Sequence, residues 1–295
     1  MEGIGVPPVS WPARGVSLGR VEGTMPQNLL AIQGVRGFVV AVGEQGRIIH
    51  FGGSVYEARE IPSPTTDTLR AVWVESPHRA WAVGDGGTIL RWDGAQWWPQ
   101  ALGTRFPGPL NAIWAHPDDG VWLAGARAII NHHPTYGSNF YESDADVRSI
   151  WGRHPDDLWL VCTDRLALWW NGERCERIPL PGDDDEQWNA VAGAPRGDTF
   201  IVGPSGFMLR WDGRRWEELP TDTTAILTGA VCVGAALYVT TDDGTVREYR
   251  RGAWRTVAFS AFGGGLNGIC ATIDGIVWAV GDRGVVLMHR PDGEE

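Results

Sequence analysis

Glycine- and aspartate-rich turns recur along the chain and are the first candidates for a chemical site. Residues 84–88 read GDGGT, and related turns read GEQG, GPSG, TDDG and GDRG. A phosphate-binding loop leads into a helix whose N-terminus meets the anion, whereas these turns lead into apolar, β-branched runs. Glycine and aspartate suit tight hairpins, because they adopt positive φ and bond to nearby backbone. We interpret the turns as hairpins, with a phosphate site as the alternative.

Histidines and acidic clusters are the candidates for a metal site. His116 and His154 each precede Pro-Asp-Asp, which is typical of a type I turn, and His132 and His133 are adjacent. No third ligand follows at a spacing that zinc sites use. Residues 182–186 read GDDDE and lack the alternation of a calcium loop, which favours a solvated loop. The sequence therefore predicts no metal and no other cofactor.

The candidates for a nucleophile are equally few. Cys162, Cys175, Cys232 and Cys270 form no Cys-x-x-Cys pair and are interpreted as reduced thiols, three of them substituting for aromatic residues in the core. No Ser/His/Asp or Cys/His arrangement is discernible. We therefore assign no catalytic residue and predict that the chain is not an enzyme.

Charge and hydropathy exclude several kinds of partner. The formal net charge is −11, from 36 acidic and 25 basic residues, and the basic residues are all arginine. An acidic chain without a basic stripe is a poor ligand for a nucleic-acid backbone. Neither a signal peptide nor an apolar run of membrane-spanning length is visible. The expected location is cytoplasmic, with no membrane and no direct nucleic-acid partner.

Seventeen tryptophans raise the possibility of sugar binding, but they follow a period. A large apolar residue shortly before a turn recurs about every forty residues, in the range of propeller blades. Its seven copies are Val40, Trp81, Trp122, Trp159, Phe200, Tyr238 and Trp278. Periodic aromatic residues are core residues by default, and all seventeen tryptophans fall on predicted strands. Stacking on sugars remains the alternative.

The same period aligns a column of small residues in the first strand of each copy. The column contains Ala31, Ala71, Ala112, Ser149, Ala190, Ala230 and Gly268, and a branched column follows it. Innermost strands crowd around the axis of a propeller and require small side chains there. The last copy lacks a fourth strand, and the N-terminal segment Val9–Gly15 resembles one. We predict an all-β, seven-bladed propeller of four-stranded antiparallel blades, forming one domain over residues 1–295, with residues 7–20 completing the last blade.

The repeat resembles a known family in the stretches VGDGGTILRWDGAQW, VGPSGFMLRWDGRRW and VGDRGVVLMHRPDG. It is similar to the bacterial BNR-like, sialidase-type propeller repeats, which recur in YVTN-type and photosystem II assembly-factor-like proteins. The resemblance covers about residues 30–293 and implies the fold. Half of the family's Asp-box remains, in Asp93-Gly94 and Asp212-Gly213. The arginine triad and tyrosine nucleophile of sialidases are not matched, so no catalytic role is carried over.

These patterns leave function to the variable loops. We predict a non-enzymatic scaffold that binds another protein in a bacterial multi-protein system, with a defence or ATPase-linked complex as an example. The predicted surface combines the turns between second and third strands with the loops that lead from one copy to the next, and an aromatic excursion at 132–147 adds to it. The predicted contacts are Glu44, Asp85, Arg127, Tyr136, Phe140, Tyr141, Asp164, Asp243, Asp282 and Arg283. The alternatives are a lectin-like propeller and a hydrolase or lyase with an axial active site.

Overall fold

Seven four-stranded antiparallel sheets make up the protein, as the sequence predicts. The computed structural model describes residues 16–20, 27–102, 106, 108–117, 120–133, 135–181, 187–194, 197–261 and 263–291. In each sheet the strands are named a to d from the axis outward. Strands a of neighbouring blades contact one another around the ring. The chain is therefore a closed seven-bladed β-propeller.

The strands are short, and tight turns connect most of them. Blade 1 contains β2 (Leu29–Val35), β3 (Phe38–Gly43), β4 (Ile48–Phe51) and β5 (Ala58–Glu60). Blade 2 contains β6 (Leu69–Ser76), β7 (Arg79–Gly84), β8 (Ile89–Trp92) and β9 (Trp97–Pro99). Blade 3 contains β10 (Leu110–His116), β11 (Gly120–Gly125), β12 (Ala128–His133) and β13 (Gly137–Glu142).

The remaining blades follow the same order. Blade 4 contains β14 (Val147–His154), β15 (Asp157–Cys162), β16 (Ala167–Trp170) and β17 (Cys175–Ile178). Blade 5 contains β18 (Ala190–Gly193), β19 (Thr199–Val202), β20 (Met208–Trp211) and β21 (Trp216–Glu218). Blade 6 contains β22 (Leu227–Val233), β23 (Ala236–Thr241), β24 (Thr245–Arg250) and β25 (Ala253–Phe259). Blade 7 contains β26 (Leu266–Ala271), β27 (Val277–Gly281) and β28 (Val285–His289), with β1 (Val16–Arg20) as its strand d.

The N-terminal segment closes the ring, as the sequence predicts. Val16–Arg20, which lies within the predicted residues 7–20, pairs along the whole of β28, from His289 back to Val285. Val9–Gly15, which resembles strand d of blade 2, lies outside the described residues.

The core lies between the blades and is built from the predicted columns. Trp73, Trp114 and Trp151 on strands a pair with Trp81, Trp122 and Trp159 on strands b. Each strand b aromatic then packs against the next blade, as Trp159 packs against Trp211 and Trp216 of blade 5. The tryptophan period therefore encodes contacts between blades.

Blade 6 departs from the predicted alignment by one residue. Gly229, not Ala230, occupies the small column, because Gly229 pairs with Thr240 as Ala31 pairs with Val42. Ala230 therefore takes the branched column. By the same shift, Val231 and not Cys232 takes the tryptophan column, opposite Tyr238.

The disc has two unlike faces. The front face contains the b–c turns and the loops that enter strands a, which bond to each other through contacts such as Glu44 N to Asn28 O. The back face contains the a–b and c–d turns. The GDGGT turn joins β7 to β8, so the hairpin interpretation is confirmed. Its equivalent in blade 1 needs Gly46, whose φ is +71° and whose added Cβ would overlap the carbonyl oxygen of Thr65.

Candidate binding site at the axial mouth

In six of the seven blades, a β-bulge at the start of strand a points one side chain toward the axis, and Asn189 precedes strand a at the corresponding place in blade 5. In blade 2, for example, Leu69 pairs with Gly84 and Ala71 with Val83, so that Arg70 is the extra residue. The same irregularity occurs in blades 1, 3, 4, 6 and 7. Bulges redirect side chains in this way and are common beside functional sites. The seven residues at this position are Leu30, Arg70, Asn111, Arg148, Asn189, Thr228 and Asn267.

These side chains line a recess of about 660 Å³ at the centre of the front face, which we call the axial recess. Pro109, Asp146, Thr163 and Ile226 complete its wall. A narrower channel of about 270 Å³ continues along the axis and is lined by the same seven residues together with the small column and the branched column. The recess is therefore polar and cationic, and small and branched side chains follow below it.

Two arginines distinguish the recess from the rest of this column. The Nε of Arg70 donates to Asp85 Oδ1 at 2.5 Å, and both side chains are exposed. Arg148 donates only to neutral amide oxygens, those of Asn189 at 3.2 Å and Gln187 at 2.8 Å. Among the described residues, no carboxylate pairs with the Arg148 guanidinium, which leaves it as an exposed cation held in place by amides.

The asparagines and threonine of the column have a structural task. Asn111 Nδ2 donates to Val147 O at 2.9 Å, and Asn189 Nδ2 donates to Leu227 O at 3.0 Å. Asn267 and Thr228 make the same contact to the next blade around the ring. These bonds join neighbouring blades at the axis. Arg148 also bonds to the next blade, through the side chains of Asn189 and Gln187, whereas Arg70 bonds to Asp85 of its own blade.

Seven of the predicted contact residues lie on the front face, on the b–c turns. They are Glu44, Asp85, Arg127, Asp164, Asp243, Asp282 and Arg283. Several of their carboxylates already have structural partners: Glu44 accepts from the backbone and side-chain nitrogens of Asn28, and Asp282 accepts from Gly265 N and Asn267 Nδ2. Of the seven, only Asp85 bonds directly to an arginine of the axial recess.

The aromatic members of the predicted site are not brought to that face. The segment expected to be an excursion is largely an ordinary outer strand, β13. Tyr136 lies on the c–d turn of the back face and is 86% exposed, and Phe140 lies on the outer edge. Tyr141 packs against Trp122 and Trp170 between blades 3 and 4. The ten predicted residues thus form no single surface, and their binding roles stay predictions.

The arginines of the recess were missed at the sequence level, although a signal existed. The position before the small column is polar in six of seven copies, within strands that are otherwise apolar. An alignment of the copies on their tryptophan and glycine residues alone does not reveal this position.

Groups suited to acid–base or nucleophilic chemistry lie elsewhere. None of the seven histidines lines the axial recess; His50, for example, is buried between Phe38, Trp92 and Trp97 of blades 1 and 2. Burial lowers the pKa of His50 to about 4 and raises the pKa of Cys162 and Cys232 to about 12. Among the described side chains, no three possible ligands are grouped as a metal ion would require. The described residues contain no helix with the length and hydropathy of a membrane span.

Comparisons with known proteins support the fold. No protein-family model and no curated protein matches the chain. A streptogramin B lyase structure superposes with a TM-score of 0.81 at 14% identity, covering 96% of this chain and 100% of that one. A catalytically inactive His-to-Ala variant of virginiamycin B lyase from Staphylococcus aureus, with quinupristin, gives 0.81 at 12% identity, covering 94% and 100%. YCF48 bound to a D1 peptide gives 0.78 at 15% identity, covering 98% and 100%.

These similarities confirm the β-propeller and do not decide between an enzyme and a binding protein, because both kinds occur among the matches. The finer assignment to BNR-like repeats stays a prediction.

Proposed function

We propose that the chain is a non-enzymatic binding module that holds an acidic segment of another protein over the axial recess. The observation that carries the proposal is the guanidinium pair Arg70 and Arg148, projected by bulges into one recess. Arginine binds carboxylates through charge-assisted hydrogen bonds and keeps its charge at every physiological pH. The exposed Arg148, with only amide partners, is the main attachment point.

The surroundings of the two arginines favour an extended peptide. Asn111 lies between them in the ring, and the side-chain oxygens of Asn111 and Asn267 offer acceptors beside the guanidinium donors, whereas that of Asn189 already accepts from Arg148. Donors and acceptors together suit a peptide backbone as well as an acidic side chain. A recess of about 660 Å³ is large enough for a few residues and too small for a folded domain. YCF48, with a similar fold, is bound to a peptide, which agrees with a partner of this kind.

The choice of binding over catalysis rests on the side chains of the recess. General acid–base catalysis needs a group that gains and loses a proton near neutral pH, most often histidine. Arginine and carboxamide groups do not do this, and the single carboxylate of the described recess is Asp146. The choice of protein over sugar rests on the exposed aromatics Trp98 and Phe140, which lie in different columns of strand d and form no repeated platform.

Selection of peptides on the purified protein tests the proposal. Random displayed peptides are selected on the wild type, and the best are measured against an Arg70→Gln/Arg148→Gln variant by calorimetry. We expect enrichment of Asp and Glu, and a loss of affinity of about 10- to 100-fold in the variant, since each charged hydrogen bond contributes about 1.5–3 kcal/mol. Arg36→Gln, which removes one charge from the back face, is the control and should bind normally. Peptides without acidic residues, or equal affinity for the variant, would refute the proposal.

A further inference from the structure

The back face has a gap where the packing between blades changes. In the interface of blades 3 and 4, Trp114 covers Gly152, and in the interface of blades 4 and 5, Trp151 covers Gly193. A Cβ added to these glycines would lie 3.2 Å and 2.6 Å from the respective indole rings. The indole of one blade thus fills a space that the glycine of the next blade provides.

The interface of blades 5 and 6 has neither this tryptophan nor this glycine. Ala192 pairs with Phe200 as Trp151 pairs with Trp159, so alanine stands in the tryptophan column. Cys232 pairs with Leu237 as Gly193 pairs with Thr199, so cysteine stands in the glycine column. A large ring is therefore missing from a place where two neighbouring interfaces have one.

A cleft of about 680 Å³ opens in this interface with Cys232 in its wall, whereas Ala192 is buried and does not line the cleft. Phe200, Cys232, Leu237 and Tyr249 provide its apolar lining, and small residues such as Gly234 leave the entrance wide. Burial raises the pKa of the Cys232 thiol to about 12, so that the sulfur stays neutral and contributes to the apolar lining.

A guanidinium lies beside this apolar lining. Arg210 lines the cleft and is held by Asp198, with Nε 2.6 Å from the carboxylate oxygen. Elsewhere in the protein, arginines lie over indoles: Arg91, the strand c equivalent of Arg210, over Trp81 at 5.6 Å, and Arg153 of strand a over Trp151 at 5.3 Å from the ring centroid. The guanidinium of Arg210 is a group of the cleft wall that can make the same kind of contact with a bound ring.

We infer that this cleft binds a tryptophan side chain presented by a partner protein. The shape is the one that the fold fills with its own indoles between blades 3, 4 and 5. The volume exceeds that of one ring, and the remainder accommodates the residues on either side of the tryptophan in the partner's chain. This site lies on the back face and is independent of the axial recess.

Calorimetry with short peptides tests the inference. The probes are a capped Gly-Gly-Trp-Gly-Gly peptide, the same peptide with leucine, and free indole. We expect the wild type to bind one tryptophan peptide with millimolar or better affinity, and the leucine peptide at least tenfold more weakly. Free indole should bind at least tenfold more weakly than the tryptophan peptide. If free indole bound as tightly as the tryptophan peptide, the inference of a protein partner would be wrong, and the cleft would be a site for a small aromatic ligand.

Two variants locate the binding. Ala192→Trp places the chain's own indole in the cleft and should abolish binding, whereas Ala95→Trp adds the same residue at an exposed turn of blade 2 and should not. Circular dichroism checks the fold of both, and Cys232→Phe, which narrows the cleft from the other side, replaces Ala192→Trp if the latter does not fold. Absence of binding to the wild type, or undiminished binding to the variant that fills the cleft, would overturn the inference.

Discussion

The two faces of the propeller depart from its repeat in different ways. At the front, the residue that precedes the small column in each blade varies in type. Two of these residues are Arg70 and Arg148, and together the seven line the polar axial recess. At the back, the run of tryptophans on strands a of blades 2 to 4 ends at Ala192 of blade 5, and an apolar cleft lies in the next interface. The columns that all blades share build the ring. Cavities that can bind a ligand lie where one blade differs from its neighbours.

The largest expected effect comes from removing a ring at a filled interface. Trp114 is 6% exposed and packs against Trp73, whereas the corresponding position of blade 5 holds the small side chain of Ala192. Trp114→Ala should lower the free energy of unfolding by about 3–5 kcal/mol, through lost burial and the cavity left behind. Ala192→Ser, at the open interface, should cost much less. Chemical denaturation measures both, and equal losses would remove the distinction between filled and open interfaces.

The pH dependence of stability reports on the packing of His50 between blades 1 and 2, whereas the pH dependence of peptide binding reports on the axial recess. The folded protein keeps His50 neutral until about pH 4, because burial and the adjacent Arg59 disfavour its charged form. The unfolded chain takes up this proton near pH 6.5, so stability falls as the pH drops from about 6.5 to about 4, by up to about 3 kcal/mol. Above pH 6.5 the contribution is constant.

Comparison of variants isolates this histidine. His50→Phe should remove this part of the pH dependence. Binding of an acidic peptide at the arginines should not change between pH 8 and 6. A wild-type stability curve that is parallel to that of His50→Phe would contradict the assignment.

Much of the fold follows from the sequence, and little of the site does. The spacing of Trp81, Trp122 and Trp159 specifies the blades, because each of these tryptophans packs against the next blade at the same place in the repeat. Arg70 and Arg148 become a pair only through ring closure, which brings residues 78 positions apart to one axis. Blade 6 was misaligned by one residue because glycine and alanine are both small, and only the pairing of Gly229 with Thr240 distinguishes them.

The smallest expected effect is a change in the charge balance of the recess. Asp85 accepts from the Nε of Arg70, and its carboxylate repels an acidic ligand. Asp85→Asn should therefore tighten binding of an acidic peptide by a few-fold, less than about 1 kcal/mol, since the pair is exposed and screened by salt. The gain should shrink as the salt concentration rises. Weaker binding would mean that Asp85 itself contacts the ligand.

A charge exchange at Arg148 tests the central claim most directly. Affinities are measured for wild type and Arg148→Glu, each with a selected acidic peptide and with the same peptide carrying arginine in place of its critical acid. The account predicts strong binding in the two complementary pairs and weak binding in the two like-charged pairs, a coupling that a double-mutant cycle quantifies. Effects that simply add, with no recovery of Arg148→Glu by the exchanged peptide, would contradict binding of an acidic segment at the axial recess.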